Sequence, residues 1–372
     1  MKKIITFIKN EIVFIIACIL ALISMFFVPP SAAYIDYIDF RTLSLLLALM
    51  LVVQGLKSCG LFDILATTVM HKATDQKQLA LLLVLLCFFG SMLITNDVAL
   101  ITFVPFTIML LEQIDNPYYS IYLIVLETIA ANLGSMFTPI GNPQNLYLYS
   151  ISGMDIGHFL LLMLPYSALS LILLIVAVGF IKPDGLKVAF MKTKEVNKKP
   201  DIIRLLIYIL LFVICLLTVL HVLDYRIMLG IVLFFILLTN YRLIPRADYI
   251  LLLTFIAFFI FIGNLKQMES VENLLATLVD GRECLVSIIA SQAVSNVPCA
   301  MLLSGFTDNY NKLIIGTNLG GLGTLIASMA SLISFKFYAK MDGSSTKRYI
   351  DIFTGMNVLF LIVLFIFYTV LN

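Results

Sequence analysis

The sequence predicts an all-α polytopic membrane protein made of two inverted-topology repeats, and three observations support this fold class. First, 61% of the 372 residues are hydrophobic and only 12% are charged, with a mean hydropathy of +1.06, whereas soluble domains have roughly 25% charged residues. Second, the apolar runs are long and unbroken, which excludes the alternating pattern of a transmembrane β-barrel. Third, short motifs recur in the same order in the two halves of the chain.

Charge and cysteine usage exclude several other classes. The 24 Lys and Arg residues nearly balance the 22 Asp and Glu residues, for a net charge of +2, so no basic field for nucleic acid exists. The six cysteines are scattered and form no CxxC or Cys/His cluster. We therefore expect no disulfide framework, no metal site and no cofactor. The predicted partners are the lipid bilayer and a small anion as substrate, with no nucleic acid.

About twenty apolar residues are needed to cross a bilayer as a helix, and this length predicts about nine full spans and two hairpins. The stretch 12–28 resembles a signal peptide, but its 17 apolar residues and the many spans that follow indicate a first transmembrane helix. The hairpins are 79–112 and 284–306, and 265–283 is an interfacial amphipathic stretch. The predicted full spans are 12–28, 42–70, 118–150, 158–181, 203–221, 226–241, 247–264, 311–335 and 348–371.

Positive charge in the loops predicts the orientation of these spans. Segment 182–204 carries seven Lys and Arg residues, and cytoplasmic loops are enriched in such residues. Counting spans outward from it places the N-terminus in the cytoplasm and the C-terminus outside. The expected location is the cell membrane, as a multi-pass protein.

Motif spacing predicts the internal repeat. Asn132-Leu133-Gly134 matches Asn318-Leu319-Gly320 at an offset of 186 residues, with Thr138 and Thr324 at the same offset. Thr95-Asn96-Asp97 matches Ser295-Asn296-Val297 at an offset of 200, and Lys57 with Leu65-Ala66-Thr67 echoes Lys266 with Leu275-Ala276-Thr277. The first hairpin would enter from the cytoplasm and the second from outside. The predicted units are a first repeat at 1–181, a basic cytoplasmic linker at 182–202, and an extra span with the second repeat at 203–372.

Four interruptions fall at predicted mid-membrane depth. The hairpins turn at 95–97 and 295–298, and the spans 118–150 and 311–335 break at 135–145 and 317–324. Proline, glycine and polar residues cannot continue an apolar helix there unless the break lines a cavity or is buried in protein. Free helix N-termini attract anions, and free carbonyls attract Na⁺. The alternative is that these glycines only permit close helix packing.

Two acids are candidate carriers of a coupling charge. Asp97 lies at the first hairpin tip, where an intramembrane acid marks a cation or proton site, although it is also placed to cap the following helix. Glu127 lies about one turn before Asn132 and is a second candidate, with a purely structural hydrogen-bond role as its alternative.

The paired hairpin-tip asparagines, the TPIGNP motif at 138–143 and the NLGGLGT motif at 318–324 resemble the ion transporter superfamily. This group includes dicarboxylate and citrate carriers, arsenite-efflux subunits and sodium/proton antiporters. In the dicarboxylate carriers each tip reads Ser-Asn-Thr and holds substrate carboxylates. Here Asp97 adds a negative charge and Val297 removes a hydroxyl, which is closer to the arsenite and sodium/proton branches. The resemblance also implies a homodimer.

We therefore predict a secondary active transporter, not an enzyme, that moves a small carboxylate or inorganic oxyanion coupled to Na⁺ or H⁺. The alternatives are a Na⁺/H⁺ antiporter without an anion substrate, an arsenite-type efflux permease and a channel. Asp97 and Glu127 would carry the coupling charge. The predicted substrate- and ion-binding residues are Thr95, Asn96, Asp97, Thr138, Gly141, Asn142, Ser295, Asn296, Asn318, Gly320, Gly321, Gly323 and Thr324.

Overall fold

The computed structural model describes residues 11–61, 73–111, 117–183, 201–341 and 343–372. These ranges contain sixteen α-helices and two 3-10 helices, the latter at Ala32–Ile35 and Tyr241–Arg246. The α-helices are α1 (Ile12–Phe27), α2 (Phe40–Ser58), α3 (Gln76–Ile94), α4 (Asn96–Leu111), α5 (Pro117–Ser135), α6 (Pro143–Ser152), α7 (Ile156–Gly179), α8 (Ile202–Val219), α9 (Tyr225–Asn240), α10 (Tyr249–Lys266), α11 (Glu269–Val279), α12 (Glu283–Val294), α13 (Asn296–Leu303), α14 (Tyr310–Leu319), α15 (Met329–Tyr338) and α16 (Thr346–Leu371).

Seven helices in the described ranges are long and apolar enough to cross a membrane. They are α2, α3, α7, α8, α9 with its 3-10 extension, α10 and α16. The predicted polytopic helical membrane protein is therefore confirmed at this level.

The number of full-length spanning helices differs from the nine predicted. The spans 118–150 and 311–335 each divide into two helices, and α1 has only 16 residues. In contrast, α3 has 19 residues, which makes this hairpin arm as long as a full span. Residues 62–70 of the predicted span 42–70, the motif Leu65-Ala66-Thr67 and most of the basic linker lie outside the described residues.

Aspartate side chains begin many of the helices. An aspartate at the N-cap accepts a hydrogen bond from a backbone N–H in the first turn, which satisfies one of the free donors there. These caps fix the helix starts in the short polar segments between apolar runs. The capping residues are Asp39, Asp75, Asp155, Asp201, Asp224 and Asp248.

Single residues join the helices at both predicted hairpin turns. Thr95 connects α3 to α4 with φ +70°, and Ser295 connects α12 to α13 with φ +72°. Each pair of helices packs together directly after the turn. Positive φ is strained for a residue with a side chain, at about 1–3 kcal/mol. Because both joints have this strained conformation, the contacts around them must stabilise it.

Two spans are interrupted by irregular backbone, at 136–142 between α5 and α6 and at 320–328 between α14 and α15. The first interruption agrees with the prediction. The second begins later than the predicted residue 317, because Thr317 and Asn318 bond back to carbonyls of their own helix. These bonds give both polar side chains a partner within α14, which ends at Leu319.

Helix α5 lies at the centre of the bundle. Every residue from 123 to 131 is 0% exposed, and α3, α4, α7, α15 and α16 all pack against it. A helix buried on all sides is a core element. It therefore places Glu127 and Asn132 in the interior of the molecule.

A histidine after α8 joins two parts of the bundle. His221 Nδ1 lies 2.6 Å from Arg41 Nη1 at the start of α2, and its ring lies 5.8 Å from that of Tyr149 on α6. Since guanidinium only donates, the histidine nitrogen is the acceptor and the ring is neutral. Burial, and then the neighbouring Arg41, lower the pKa of His221 from its ordinary value of 6.5.

This contact predicts a loss of stability in mild acid. Because the folded state favours neutral His221, the stabilisation is complete above pH 6.5 and is lost as the pH falls through the lowered pKa. We expect the unfolding temperature to fall between about pH 7.5 and about pH 5. The His221→Asn variant, which keeps an acceptor and tolerates positive φ, should lose part of that fall. His158→Asn is the control and should behave as the wild type; an unchanged pH profile in His221→Asn would contradict this assignment.

Candidate functional site

Each helix joint is bound to the irregular segment of its own half. The backbone N–H of Asn96 donates to Gly141 O, and that of Asn296 donates to Ala327 O, both at 3.0 Å. The donors are 200 residues apart and the acceptors 186 apart, the two offsets of the sequence repeat. Each irregular segment also closes on itself, through Gly141 N to Thr138 O and Ala327 N to Thr324 O, both at 3.2 Å.

A second pair of hydrogen bonds joins the two halves to each other. Asn142 Nδ2 donates to Asn318 Oδ1 at 3.0 Å, and Ser328 Oγ donates to Asn132 Oδ1 at 3.0 Å. Asn142 and Ser328 are equivalent at the offset of 186, as are Asn132 and Asn318. The bonds are therefore reciprocal: each irregular segment donates to the broken helix of the other half.

Further bonds make this a continuous amide network. Asn318 Nδ2 also donates to Asn145 Oδ1 at 2.6 Å, and Asn96 Nδ2 donates to Asn132 Oδ1 at 3.1 Å. All of these side chains are at most 5% exposed. Buried amides without partners would be costly, so the network fixes how the interrupted helices meet. It also presents both donors and acceptors at the centre of the molecule.

A cavity of about 140 Å³ reaches this network from one side. Its wall includes Thr95, Asp97, Asn142, Gln54 and Asp248. Asp248 is exposed, whereas Asn142 is 1% exposed, so the cavity leads from the surface to the network. Its described lining contains two acids and no basic side chain, which favours cations over free anions.

A smaller cavity of about 20 Å³ also has Asp248 in its wall. It is lined by Val297 and Pro298 of the second joint, by Met329 of α15 and by Glu11. Asp248 therefore lines both the cavity that reaches the first joint and the cavity that reaches the second. The second joint offers mostly apolar groups to its cavity, in contrast to Asp97 at the first.

The remaining predicted site residues occupy varied positions. Thr138 Oγ1 donates to Met92 O, and the backbone of Thr324 is held by Gln292 Oε1 at 2.9 Å; Thr324 is exposed. Asn296 and Ser295 are buried at the second joint. The glycines give the irregular backbone room: at Gly321 a Cβ atom would lie 2.9 Å from Asn296 Nδ2 and at Gly323 2.4 Å from Gln292 Oε1.

Glu127 is separate from the described cavity lining. It lies on α5, is 0% exposed and accepts a hydrogen bond from Thr107 Oγ1 at 2.6 Å. The structure therefore does not bring the two predicted coupling acids together in one cavity.

Several members of the network were absent from the predicted site. Three of these residues could have been found from the sequence. Asn132 belongs to the repeated Asn-Leu-Gly triplet, and Asn145 lies in a predicted break. Ser135 also lay in that break, whereas Ser328 and Ser331 had no signal, because serine is common in membrane helices. The residues missed are Asn132, Ser135, Asn145, Gln292, Ser328 and Ser331.

Removing one amide from this network is expected to destabilise the fold. Asn318→Ala would remove one of the two hydrogen bonds that Asn142 Nδ2 donates and leave the acceptor of Asn145 unsatisfied, lowering the free energy of unfolding by about 1–3 kcal/mol for each group. Thermal unfolding of the purified protein measures this effect. Asn273→Ala, at an exposed position of α11, is the control. Equal unfolding temperatures for the two variants would show that the network contributes nothing to stability.

Comparison with known proteins supplies the family. Residues 4–312 match the family model described as citrate transporter. An uncharacterized transporter of Methanocaldococcus jannaschii, MJ0456, is 31% identical over 300 residues, covering 80% of this chain and 81% of that protein. The inner membrane protein YbiR of Escherichia coli is 31% identical over 315 residues, covering 84% and 83%.

A more distant relative matches a shorter segment. The silicon efflux transporter LSI3 of Oryza sativa is 34% identical over 128 residues, which covers 34% of this chain and 26% of the rice protein. The match to the family model contains all of α5, with Asn132, and ends at residue 312, within the first turn of α14. The chain belongs to the citrate transporter family and is a multi-pass membrane transporter rather than an enzyme.

Proposed function

We propose that this protein is a secondary active transporter that moves a small carboxylate or inorganic oxyanion across the cell membrane, coupled to Na⁺ or H⁺. It needs no cofactor beyond the coupling ion. In this proposal the first repeat spans 1–181, the basic linker 182–202, and the extra span with the second repeat 203–372. Each repeat contributes a re-entrant hairpin and a broken span.

The observation that carries the proposal is the reciprocity of the hydrogen bonds. Helices α3–α7 and α12–α16 have matching joints, matching interruptions and matching joint-to-break bonds at the sequence offsets. The packing between the halves is reciprocal as well. Helix α15 packs on α4, and its equivalent α6 packs on α13, the equivalent of α4. Two equivalent units around one site support inverted repeats, which allow alternating access in secondary transporters.

The proposed orientation follows from the charges of the loops. With segment 182–204 in the cytoplasm, the N-terminus is cytoplasmic and the C-terminus outside. The 3-10 helix Tyr241–Arg246 then also lies inside, beside Asp248. The cavity that contains Asp97 would thus open toward the cytoplasm. We further propose a homodimer as the working unit.

In this proposal the coupling ion binds at the first joint and the anion binds near the second. The coupling ion would bind at Asp97, with Thr95 and Asn142 beside it in the cavity wall. The anion would bind nearer the second joint, whose helix α13 begins with Asn296 and no acidic residue, because a helix N-terminus favours negative charge. Asn318 and the glycine-rich segment 320–324 would form the rest of this anion site.

The range of substrates extends to inorganic species. The rice relative is named for silicon efflux, and the joints carry Asn96-Asp97 and Asn296-Val297 in place of Ser-Asn-Thr tips. These features support a small hydroxylated inorganic acid or its anion as a candidate beside carboxylates. An arsenite-type efflux permease falls within this proposal.

A second candidate is a Na⁺/H⁺ antiporter without an anion substrate. One observation favours it: the described lining of the larger cavity carries Asp97 and Asp248 and no basic side chain. Such a lining suits the binding of a cation from the open side.

Reconstituted vesicles that enclose a pH-sensitive dye test both candidates. A Na⁺ or pH gradient is imposed with no anion, and then with citrate, succinate, phosphate, arsenite or silicic acid. Ion flux that requires one of these solutes supports the coupled anion transporter. Flux that is complete with chloride salts alone supports the antiporter. Saturation of the flux with solute separates a carrier from a channel.

A further inference from the structure

Glu127 is a buried carboxyl group with half of its hydrogen-bonding capacity unused. Thr107 of α4 donates to Oε1 at 2.6 Å. Oε2 is buried and has no hydrogen-bond partner among the described residues. A buried carboxylate oxygen without a partner is costly, so the geometry requires a ligand for Oε2, and the smallest ligand is a proton.

The groups that face Glu127 carry no positive charge. Cys87 of α3, Tyr119 of α5 and Tyr349 of α16 lie within electrostatic range, and Tyr338 of α15 stacks on Tyr349 with ring centroids 4.6 Å apart. Helices α4, α7 and α14 also pack on α5 but bring no titratable group to this carboxyl. No described Lys, Arg or His lies within ion-pairing distance of it. An ionised Glu127 would therefore be an uncompensated charge in the interior.

Serines of α15, a helix that packs on α5, extend from the central network along that helix. Asn132 lies five residues after Glu127 on α5, about 7.5 Å along the helix axis. It accepts from Ser328 Oγ at 3.0 Å and donates to Ser331 Oγ at 3.3 Å. Ser334, one turn further along α15, is buried and its Oγ has no partner in the described structure.

The direction of α15 brings Ser334 to the depth of Glu127. Phe335 and Tyr338 contact the ring of Tyr349 at 5.5 Å and 4.6 Å between centroids. The Tyr349 hydroxyl is itself without a hydrogen bond of normal geometry and faces Thr128, the residue after Glu127. Three unpartnered oxygens, those of Glu127, Ser334 and Tyr349, thus belong to three helices that pack on one another.

We propose that Glu127 is an enclosed proton-binding site that exchanges its proton with the central amide network along Ser334 and Ser331 of the opposite half. The proton site itself does not depend on the proposed function; only the role of this proton as a coupling ion does. On release, the O–H bond of the Glu127 carboxyl breaks and a water molecule of the central site gains the proton, while Thr107 continues to donate to the carboxylate. In this proposal Asp97 is the acid that water reaches through the open cavity, and Glu127 is the acid that is enclosed by protein.

Infrared spectroscopy of the purified full-length protein tests the site without any transport substrate. Spectra are recorded from roughly pH 5 to roughly pH 9, in H₂O and in D₂O. We expect a protonated-carboxyl C=O band that persists at neutral pH, shifts in D₂O and is absent from Glu127→Gln. Glu283→Gln is the matched control: Glu283 is also buried, at 2% exposed, but its Oε1 accepts hydrogen bonds from Gly281 N at 3.2 Å and from Thr307 Oγ1 at 3.3 Å, two donors against the one at Glu127. This control should retain the band.

Ser334→Ala tests the path rather than the site. The band should remain in this variant, and its shift after transfer to D₂O should slow by about tenfold. A band that survives in Glu127→Gln, or that disappears in Glu283→Gln instead, would overturn the site. An unchanged exchange rate in Ser334→Ala would overturn the path. Absence of transport in vesicles with the band present would contradict the proposed function and leave the proton site standing.

Discussion

Replacing Asp97 by asparagine is expected to abolish the coupling of transport to Na⁺ or H⁺ while leaving the protein folded. Asp97 is the deeper of the two acids that line the larger cavity. Its backbone N–H donates to Asn96 Oδ1 at 2.9 Å, a bond that asparagine keeps. The substitution therefore removes the charge with little change in shape. Solute flux under an imposed ion gradient should fall by at least about tenfold, equivalent to about 1.4 kcal/mol of coupling free energy.

Asp155→Asn is the matched control for this experiment. Asp155 caps α7 by accepting from His158 N at 3.0 Å, and asparagine caps equally well. It lies outside the described cavity lining, so coupling should equal that of the wild type. Thermal unfolding confirms that both variants are folded. Asp97→Asn flux that still follows the gradient would remove Asp97 from the coupling mechanism.

The positions of the helix joints were predictable from the sequence. A polar Thr-Asn-Asp or Ser-Asn-Val triplet between two apolar arms leaves few places for a turn, and the structure has the turns at Thr95 and Ser295. The offset of 186 residues also reappears in the hydrogen bonds of Gly141 and Ala327. Repetition of a motif fixes which residues are equivalent, and equivalent residues make equivalent contacts.

The partners of the amide side chains were not predictable. Sequence places Asn142 and Asn318 in breaks, but their contact depends on how two segments 176 residues apart pack. The end of α14 was placed too early, because side-chain bonds of Thr317 and Asn318 to their own helix are tertiary details. Helix bounds do not reveal which side of the membrane each hairpin enters, so the inverted orientation stays a prediction.

Glycine has different roles at positions that look alike in the sequence. Gly134 and Gly320 belong to the repeated Asn-Leu-Gly triplet. A Cβ atom at Gly134 would lie 2.6 Å from Ser91 Oγ, and one at Gly320 would lie 2.6 Å from Ser291 Oγ. Gly134 therefore lets α5 approach α3 closely, and Gly320 lets the end of α14 approach α12. This close approach is the packing role that was weighed against a ligand role for the breaks.

The two glycines differ in what else a side chain would meet. At Gly134 the Cβ would also lie 2.0 Å from the carbonyl oxygen of Phe88, a backbone atom of α3 that cannot rotate away. At Gly320 the nearest contacts are the Ser291 side chain and, at 2.9 Å, the carbonyl of Gly316. Alanine at position 134 would thus force α3 away from α5, whose residues 123–131 are all 0% exposed.

Gly134→Ala is therefore expected to cause the largest loss of stability among single alanine substitutions of these glycines. Overpacking a core costs about 1–3 kcal/mol where side chains can move, and a fixed backbone obstacle should cost more. We expect the yield of monodisperse protein to collapse, with Gly320→Ala showing a smaller fall in unfolding temperature. Gly230→Ala on α9, where a Cβ meets nothing within 4 Å, is the control. It should be neutral or stabilising by about 0.5–1 kcal/mol, because alanine favours a helix over glycine. A Gly134→Ala protein as stable as Gly230→Ala would mean that α3 and α5 do not approach this closely in the membrane, and the hairpin and the broken span would then not form one unit.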